Sequence, residues 1–414
     1  MSRITLIIAS LFIVSACSTD ADLPEQSGAE YAIPDNVVYA WATFDKDGIK
    51  NSKVSGLADR ESGRVLTLDD PVRIASISKL VLTLGVMKLV EEGKLNLDDD
   101  VSDILGWDVR NPAFPETPVT LRLLLSHTSS LMDDGINYGV RYGVPLEDVA
   151  GAPDVYDPDH APGTFFRYSN LNFPVVTSIM ERATGERLDL LMERLVFEPI
   201  SIDACYNWTT CSDEKIASAV VMYKLDGQVY LDDLKGIRPP CPIRVKKGHH
   251  CDLEKYVPGE NGALFSPQGG LRISVRDLTT VGQVLLNEGR YNGQVFLTPE
   301  SVMEMQAPQW QYNGKNGEID AETIGDTDRG FYCTYGLATQ ILPTPVRGCA
   351  DDLAKGEEWS GHAGDAYGLR SGLWVDMSKK TGIAYFAINN GDAPQKGDSA
   401  YRAIEEILAS NYEK

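Results

Sequence analysis

The sequence predicts an α+β fold: an antiparallel β-sheet flanked by helices, with a mostly helical region beside it. Three observations carry this. Asn36 to Phe44 is rich in β-branched and aromatic residues, the composition of a strand. Near the other end, two apolar runs, Gly372 to Val375 and Ile383 to Ile388, flank a polar turn and read as a hairpin. Between these ends the apolar residues recur at helical spacing. Strands at both ends with helices between them place the two ends of the chain in one sheet.

Taken in order, the chain begins with a processing signal. Arg3 precedes an apolar run, Ile4 to Val14, that is too short to span a bilayer. The run ends in Val14-Ser15-Ala16-Cys17, which resembles a bacterial lipobox. Residues 1–17 are therefore expected to be a lipoprotein signal peptide, with Cys17 acylated after cleavage. Residues 18–35 form a polar tether, and the folded domain runs over 36–412. A periplasmic or outer-membrane-anchored lipoprotein follows from this leader.

The first strand ends at the turn Asp45-Lys-Asp-Gly48. A helix starts at Ser76, with apolar residues at 80, 84, 87 and 90, and stops at Gly93. Helices are expected over Thr120 to Leu125, Leu171 to Glu181, Leu188 to Phe197, Arg276 to Asn287 and Ser399 to Leu408. Residues 203–260 carry prolines, charges and four cysteines, and read as a loop-rich insertion.

The chain has 414 residues, 43% of them hydrophobic, which is enough for a sizeable core. Its formal net charge of -22 opposes binding to nucleic acid or to anionic membrane surfaces. No cofactor is expected, and contact with a membrane is expected only through the N-terminal lipid. Six cysteines remain after Cys17, an even number that suits disulfides in an exported protein. Fifteen pairings are open. Proximity favours Cys205 with Cys211, Cys241 with Cys251, and Cys333 with Cys349. A zinc site on Cys241, His249, His250 and Cys251 is the rival, but the segment lacks a C-x-x-C pair.

Three short elements carry chemistry. Ser76-Ile-Ser-Lys79 places a hydroxyl and an amine on one face of a helix start. A desolvated lysine there loses proton affinity and can act as a base. A second copy of the spacing, Ser212-Asp-Glu-Lys215, lies in a polar setting and reads as a helix cap. Tyr168-Ser-Asn170 is the only Y-x-N in the chain and directly precedes an apolar helix. The third element has two versions. Lys380-Thr-Gly382 matches a K-T-G motif by letter but looks like the hairpin turn itself. His362-Ala-Gly364 stands before a strand whose edge could line a cleft, and is preferred.

The ordered set Ser76, Tyr168, His362 resembles the serine β-lactamase and penicillin-binding-protein superfamily. Within it the chain is most similar to the class C β-lactamase and D,D-peptidase branch, which includes esterases and D-aminopeptidases. Leu123-Leu-Leu-Ser-His-Thr-Ser129, Ser266-Pro-Gln-Gly-Gly-Leu271 and Leu297-Thr-Pro-Glu-Ser301 resemble that branch as well. The resemblance implies the β-lactamase/transpeptidase-like fold and an acyl-enzyme on Ser76. Lys79 and Tyr168 would share the base and proton-relay work. Asn170 would orient the substrate, and the N–H groups of Ser76 and Asp365 would form the oxyanion hole. His362 and Gly364 would line the site, with a protonated His362 holding a substrate carboxylate.

Ser126-His127 offers a second Ser-His pair, but adjacent residues rarely face each other, so a structural loop is expected. No G-x-S-x-G elbow occurs, which opposes an α/β-hydrolase. Arg370 is a possible carboxylate anchor within a glycine-flanked loop. The leading expectation is a serine hydrolase of D-amino-acid peptides or amides. A carboxylesterase or weak β-lactamase on the same site is the alternative. An inactive lipoprotein that binds cell-wall peptides is the alternative of another class.

Overall fold

The first strand explains the architecture. β1, Val38–Asp45, is buried along its length up to the last residue. Its residues alternate between two cores, as a strand's must. Val38, Ala40, Ala42 and Phe44 enter one core; Tyr39 and Trp41 enter the other. A strand apolar on both faces can only be central, with helices above and below. This computed structural model describes residues 33–34, 36–133, 139–224, 226–320, 330–388 and 396–413. The expected signal segment with Cys17, and the tether apart from Ile33 and Pro34, lie outside the described residues.

After the hairpin partner β2, Gly48–Ser55, the chain builds the helical region. Its main helices are α1, Ile77–Glu91, and α2, Asn172–Thr184. It then returns through α3, Val275–Leu286, to the sheet. Six more strands follow: β3, Trp310–Gln311; β4, Thr334–Tyr335; β5, Gln340–Leu342; β6, Trp359–Ala366; β7, Leu369–Asp376; and β8, Thr381–Ile388. The closing helix is α4, Ala403–Ala409. The sheet order is β3-β4-β5-β6-β7-β8-β1-β2. β1 pairs antiparallel with β8 from Val38 opposite Ile388 to Asp45 opposite Thr381. Both ends of the domain thus meet in one sheet, as the sequence predicts.

α3 covers one face of β1, β7 and β8, and α4 covers the other face of β7 and β8. Gly282 on α3 is required by contact: a Cβ there would lie 2.2 Å from the Phe44 ring. β2 is the exposed edge, and carries Lys50 and Lys53, charges that discourage further pairing.

The three disulfides are Cys205–Cys211, Cys241–Cys251 and Cys333–Cys349. Cys241 and Cys251 are bonded to each other, so they are not thiolate ligands for zinc. The 203–260 segment is more than a loop. Cys205–Tyr206 pairs with Leu271–Ile273, which also pairs with Val72–Arg73 just before α1. Buried Arg272 clamps this junction, donating to Asp232 (2.8 and 3.2 Å) and to Asn207 Oδ1 (2.5 Å). The insertion is therefore tied to the strand that leads into Ser76.

Candidate active site

Ser76 stands where a strand turns sharply into a helix. Ile74 N–H still donates to Leu271 O, while Ala75 takes φ +54°, in the left-handed region. For a residue with a Cβ this costs about 1–2 kcal/mol. The turn is locked by Ser78, whose Oγ donates to Ala75 O (2.6 Å) and accepts from Leu271 N (3.1 Å). Ser76 is half-buried, whereas Ala75, Ile77, Ser78 and Lys79 are buried. At the helix start its own N–H lies outside the helical ladder.

Lys79, one turn on, is fully buried. Its Nζ reaches Ser76 Oγ (3.1 Å), Asn170 Oδ1 (2.9 Å) and Gln268 O (2.7 Å). It also lies 4.9 Å from the Tyr168 ring centroid and 5.4 Å from that of Phe173. Burial lowers its pKa to about 7, with the charge of Asp133 opposing the shift. An amine poised near neutrality beside a serine hydroxyl is a general base in position.

Tyr168 and Asn170 precede α2. Tyr168 stacks between Tyr332 (4.6 Å between centroids) and His127 (4.2 Å). The Asn170 amide bridges Lys79 through Oδ1 and Asp133 through Nδ2 (2.9 Å each). Sequence reasoning casts Asn170 as a substrate holder; its side chain here holds the base. His127 is part of the frame. Its Nδ1 accepts from Ser169 N–H (3.0 Å) and lies 3.1 Å from Asn172 Nδ2. Burial, and then the charge of Lys79, push its pKa well below the usual value. Ser126 Oγ donates to Arg122 O and does not pair with His127. Ser212 caps its short helix by accepting from Lys215 N–H, as its polar setting indicates.

The third motif lies on β6. A Cβ at Gly364 would fall 2.5 Å from Ile74 O and 3.2 Å from the Ala75 Cβ, so the strand lies directly against the Ser76 turn. Ala363 N–H points to Gln340 Oε1 on the β5 side (2.9 Å). The N–H two residues on points the same way in an antiparallel ladder. That of Asp365 therefore faces the β6 edge beyond Gly361, where pairing with β5 ends. The Asp365 side chain pairs with Arg370 across the hairpin, so Arg370 is engaged there. Lys380 sits in the turn at the opposite end of β7 and pairs with Glu288 (3.1 Å).

His362 corrects one expectation. It is 1% exposed, and both ring nitrogens are engaged: Tyr335 Oη lies 2.7 Å from Nε2, and Ala363 O lies 2.5 Å from Nδ1. Burial, then the charge of Lys79, lower its pKa to about 3. A titrating imidazolium that grips a carboxylate does not fit this environment. His362 is a neutral part of the site wall.

The nucleophile and its base are thus joined at one turn, with the Tyr168 ring and strand β6 packed beside them. That is the equipment for acyl transfer. The profile of beta-lactamases matches residues 31–409. The chain belongs to the beta-lactamase family. Family relatives differ in what they do. The chain is 29% identical to esterase EstB of Burkholderia gladioli over 358 residues, 80% of this chain and 82% of that one. It is 30% identical to the D-alanyl-D-alanine-carboxypeptidase/endopeptidase AmpH of Escherichia coli over 152 residues, 33% of this chain and 36% of that one. Among solved structures, EstCE1, a hydrolase with promiscuous acyltransferase activity, has a TM-score of 0.62 at 21% identity. The match covers 91% of this chain and 93% of that one. The fold is the β-lactamase/transpeptidase-like one, and the protein is a serine hydrolase of this family.

Sequence reasoning missed Asp133, Gln268, Tyr332 and Tyr335. Gln268 lies within a stretch already noted for its family likeness, and Asp133 lies four residues beyond another. Gln268 acts through its backbone carbonyl, which leaves no mark on residue type.

Proposed function

We propose that the protein is an exported serine esterase that forms an acyl-enzyme on Ser76 and hydrolyses neutral carboxylic esters. The observation that carries this is His362. The third-motif side chain is neutral, buried and engaged at both nitrogens, so it offers no cation to a substrate carboxylate. The likeness to esterase EstB along most of both chains supports the same reading.

In the reaction, the neutral Lys79 amine takes the Ser76 proton as Oγ attacks the ester carbonyl. The resulting oxyanion sits between the N–H groups of Ser76 and Asp365. Collapse breaks the bond to the alkoxide, which takes a proton relayed from Lys79 through Tyr168. Water then repeats the sequence, releasing the acid and restoring Ser76.

The test is kcat/KM for p-nitrophenyl butyrate, D-alanine p-nitroanilide and a D-alanyl-D-alanine peptide. The ester should lead by at least about a hundredfold, some 2.7 kcal/mol of transition-state stabilisation. A fluorophosphonate should label Ser76 alone. A leading peptide would replace the esterase with a peptidase. For export, mass spectrometry should find the mature chain beginning at a diacylglyceryl Cys17.

A further inference from the structure

We propose that Asp133 is a positioning residue for the catalytic base: its carboxylate orients the Asn170 amide toward Lys79 and sets a fixed negative charge behind that amide. The inference rests on the acyl-enzyme reading of Ser76 and Lys79.

The geometry is a carboxylate receiving four donors from three consecutive residues. Oδ2 accepts from Asn170 N–H (2.7 Å) and from Asn170 Nδ2 (2.9 Å). Oδ1 accepts from Leu171 N–H (3.0 Å) and from Ser169 Oγ (3.0 Å). Two of these are backbone groups at the start of α2, where the helix's own ladder leaves N–H groups unmet. A negative charge there also complements the positive end of the helix dipole.

The chemical consequence lies in the amide. An Asn side chain presents oxygen at one end and NH2 at the other. An ionised carboxylate accepts hydrogen bonds only, so it selects the NH2 end. The oxygen is then forced to the opposite side, where Lys79 Nζ stands 2.9 Å away. Were the amide reversed, its NH2 would face the Lys79 donors. Asp133 therefore decides whether Asn170 attracts the base or repels it.

The charge matters as well as the orientation. Among the described residues, the titratable groups facing Lys79 are Ser76, Tyr168, His127, His362 and, behind Asn170, Asp133. The two histidines are held neutral by burial. Asp133 is thus the anion among them, and its field favours the protonated amine. Asp133→Asn removes that field and also allows the Asn170 amide to reverse. Both effects lower the pH at which Lys79 gives up its proton.

The experiment is the rate of fluorophosphonate labelling of Ser76 against pH, in the intact wild-type protein and in Asp133→Asn, Asp133→Glu and Ser169→Ala. In the wild type the rate should rise as Lys79 deprotonates. In Asp133→Asn this rise should move to lower pH, with a plateau reduced at least about tenfold. Ser169→Ala removes one donor and no charge, so its rise should stay at the wild-type pH. Asp133→Glu keeps the charge, so it should hold the wild-type position on a lower plateau, and it carries the test if the amide variant does not fold. A Glu variant whose rise moves to lower pH would overturn the proposal. So would an Asn variant whose rise stays in place, since a merely structural residue lowers the plateau without moving the curve. Absence of wild-type labelling on Ser76 would instead reject the acyl-enzyme reading itself.

Discussion

Replacing His362 with alanine separates a structural wall from a charged substrate anchor. The imidazole joins Tyr335 Oη to the β6 backbone inside a closed environment. Its removal leaves the Tyr335 hydroxyl buried without its acceptor, which costs about 1–3 kcal/mol. It also leaves a ring-sized space, worth about 2–3 kcal/mol by the usual cost of core deletions. The sum, about 3–6 kcal/mol, is a large part of a typical domain's stability of about 5–15 kcal/mol. Adding Tyr335→Phe removes the stranded hydroxyl and should restore about 1–3 kcal/mol. Urea unfolding midpoints of His362→Ala, Tyr335→Phe and the double variant measure this directly. A double variant no more stable than His362→Ala would refute the reasoning. The charge state has its own test. With a pKa near 3, the His362 ring carbon resonances should not move between pH 5 and 8. A titration in that range would restore the charged anchor, and with it carboxylate-bearing substrates.

Lys79, lowered to about 7, is protonated below that pH and basic above it. On p-nitrophenyl butyrate, kcat/KM should therefore rise through neutrality; a flat profile from pH 5 to 9 would contradict the base assignment. Lys79→Met should abolish turnover yet raise the thermal midpoint near pH 6, since burying an ammonium is costly; a lower midpoint would count against it. Lys380→Ala, at the far end of β7, should change kcat/KM less than about twofold, because surface turn substitutions act weakly. Replacing both Cys241 and Cys251 with serine opens a ring with a sequence separation of 10, worth about 3 kcal/mol in the chain-entropy model, and should lower the urea midpoint without altering the pH profile.

Sequence legibility followed the range of the interactions. The β7–β8 hairpin, α1 and the three disulfide pairings rest on local periodicity and short separations, and all stand in the structure. The Ser76–Lys79 contact was legible because helix geometry brings positions three apart together. What surrounds Lys79 was not legible. Asn170 and Gln268 arrive from 91 and 189 residues away. The state of His362 was misread for the same reason. An exposed histidine and one enclosed by Tyr335 are identical as letters, and only burial separates a titrating group from a neutral one.

The pairing of β1 with β8 also bears on when activity can begin. Val38 leaves the ribosome early, whereas its partner Ile388 is made near the end of the chain. At about 5–20 residues per second, the first strand waits roughly 20–70 s for its neighbour. Throughout that interval β1 would be a free strand with two apolar faces, open to aggregation or to a holding chaperone. Gly364, which closes against the Ser76 turn, is made equally late. A chain that stops short of Gly364 lacks the strand that closes against the Ser76 turn, and so cannot complete the oxyanion hole proposed above.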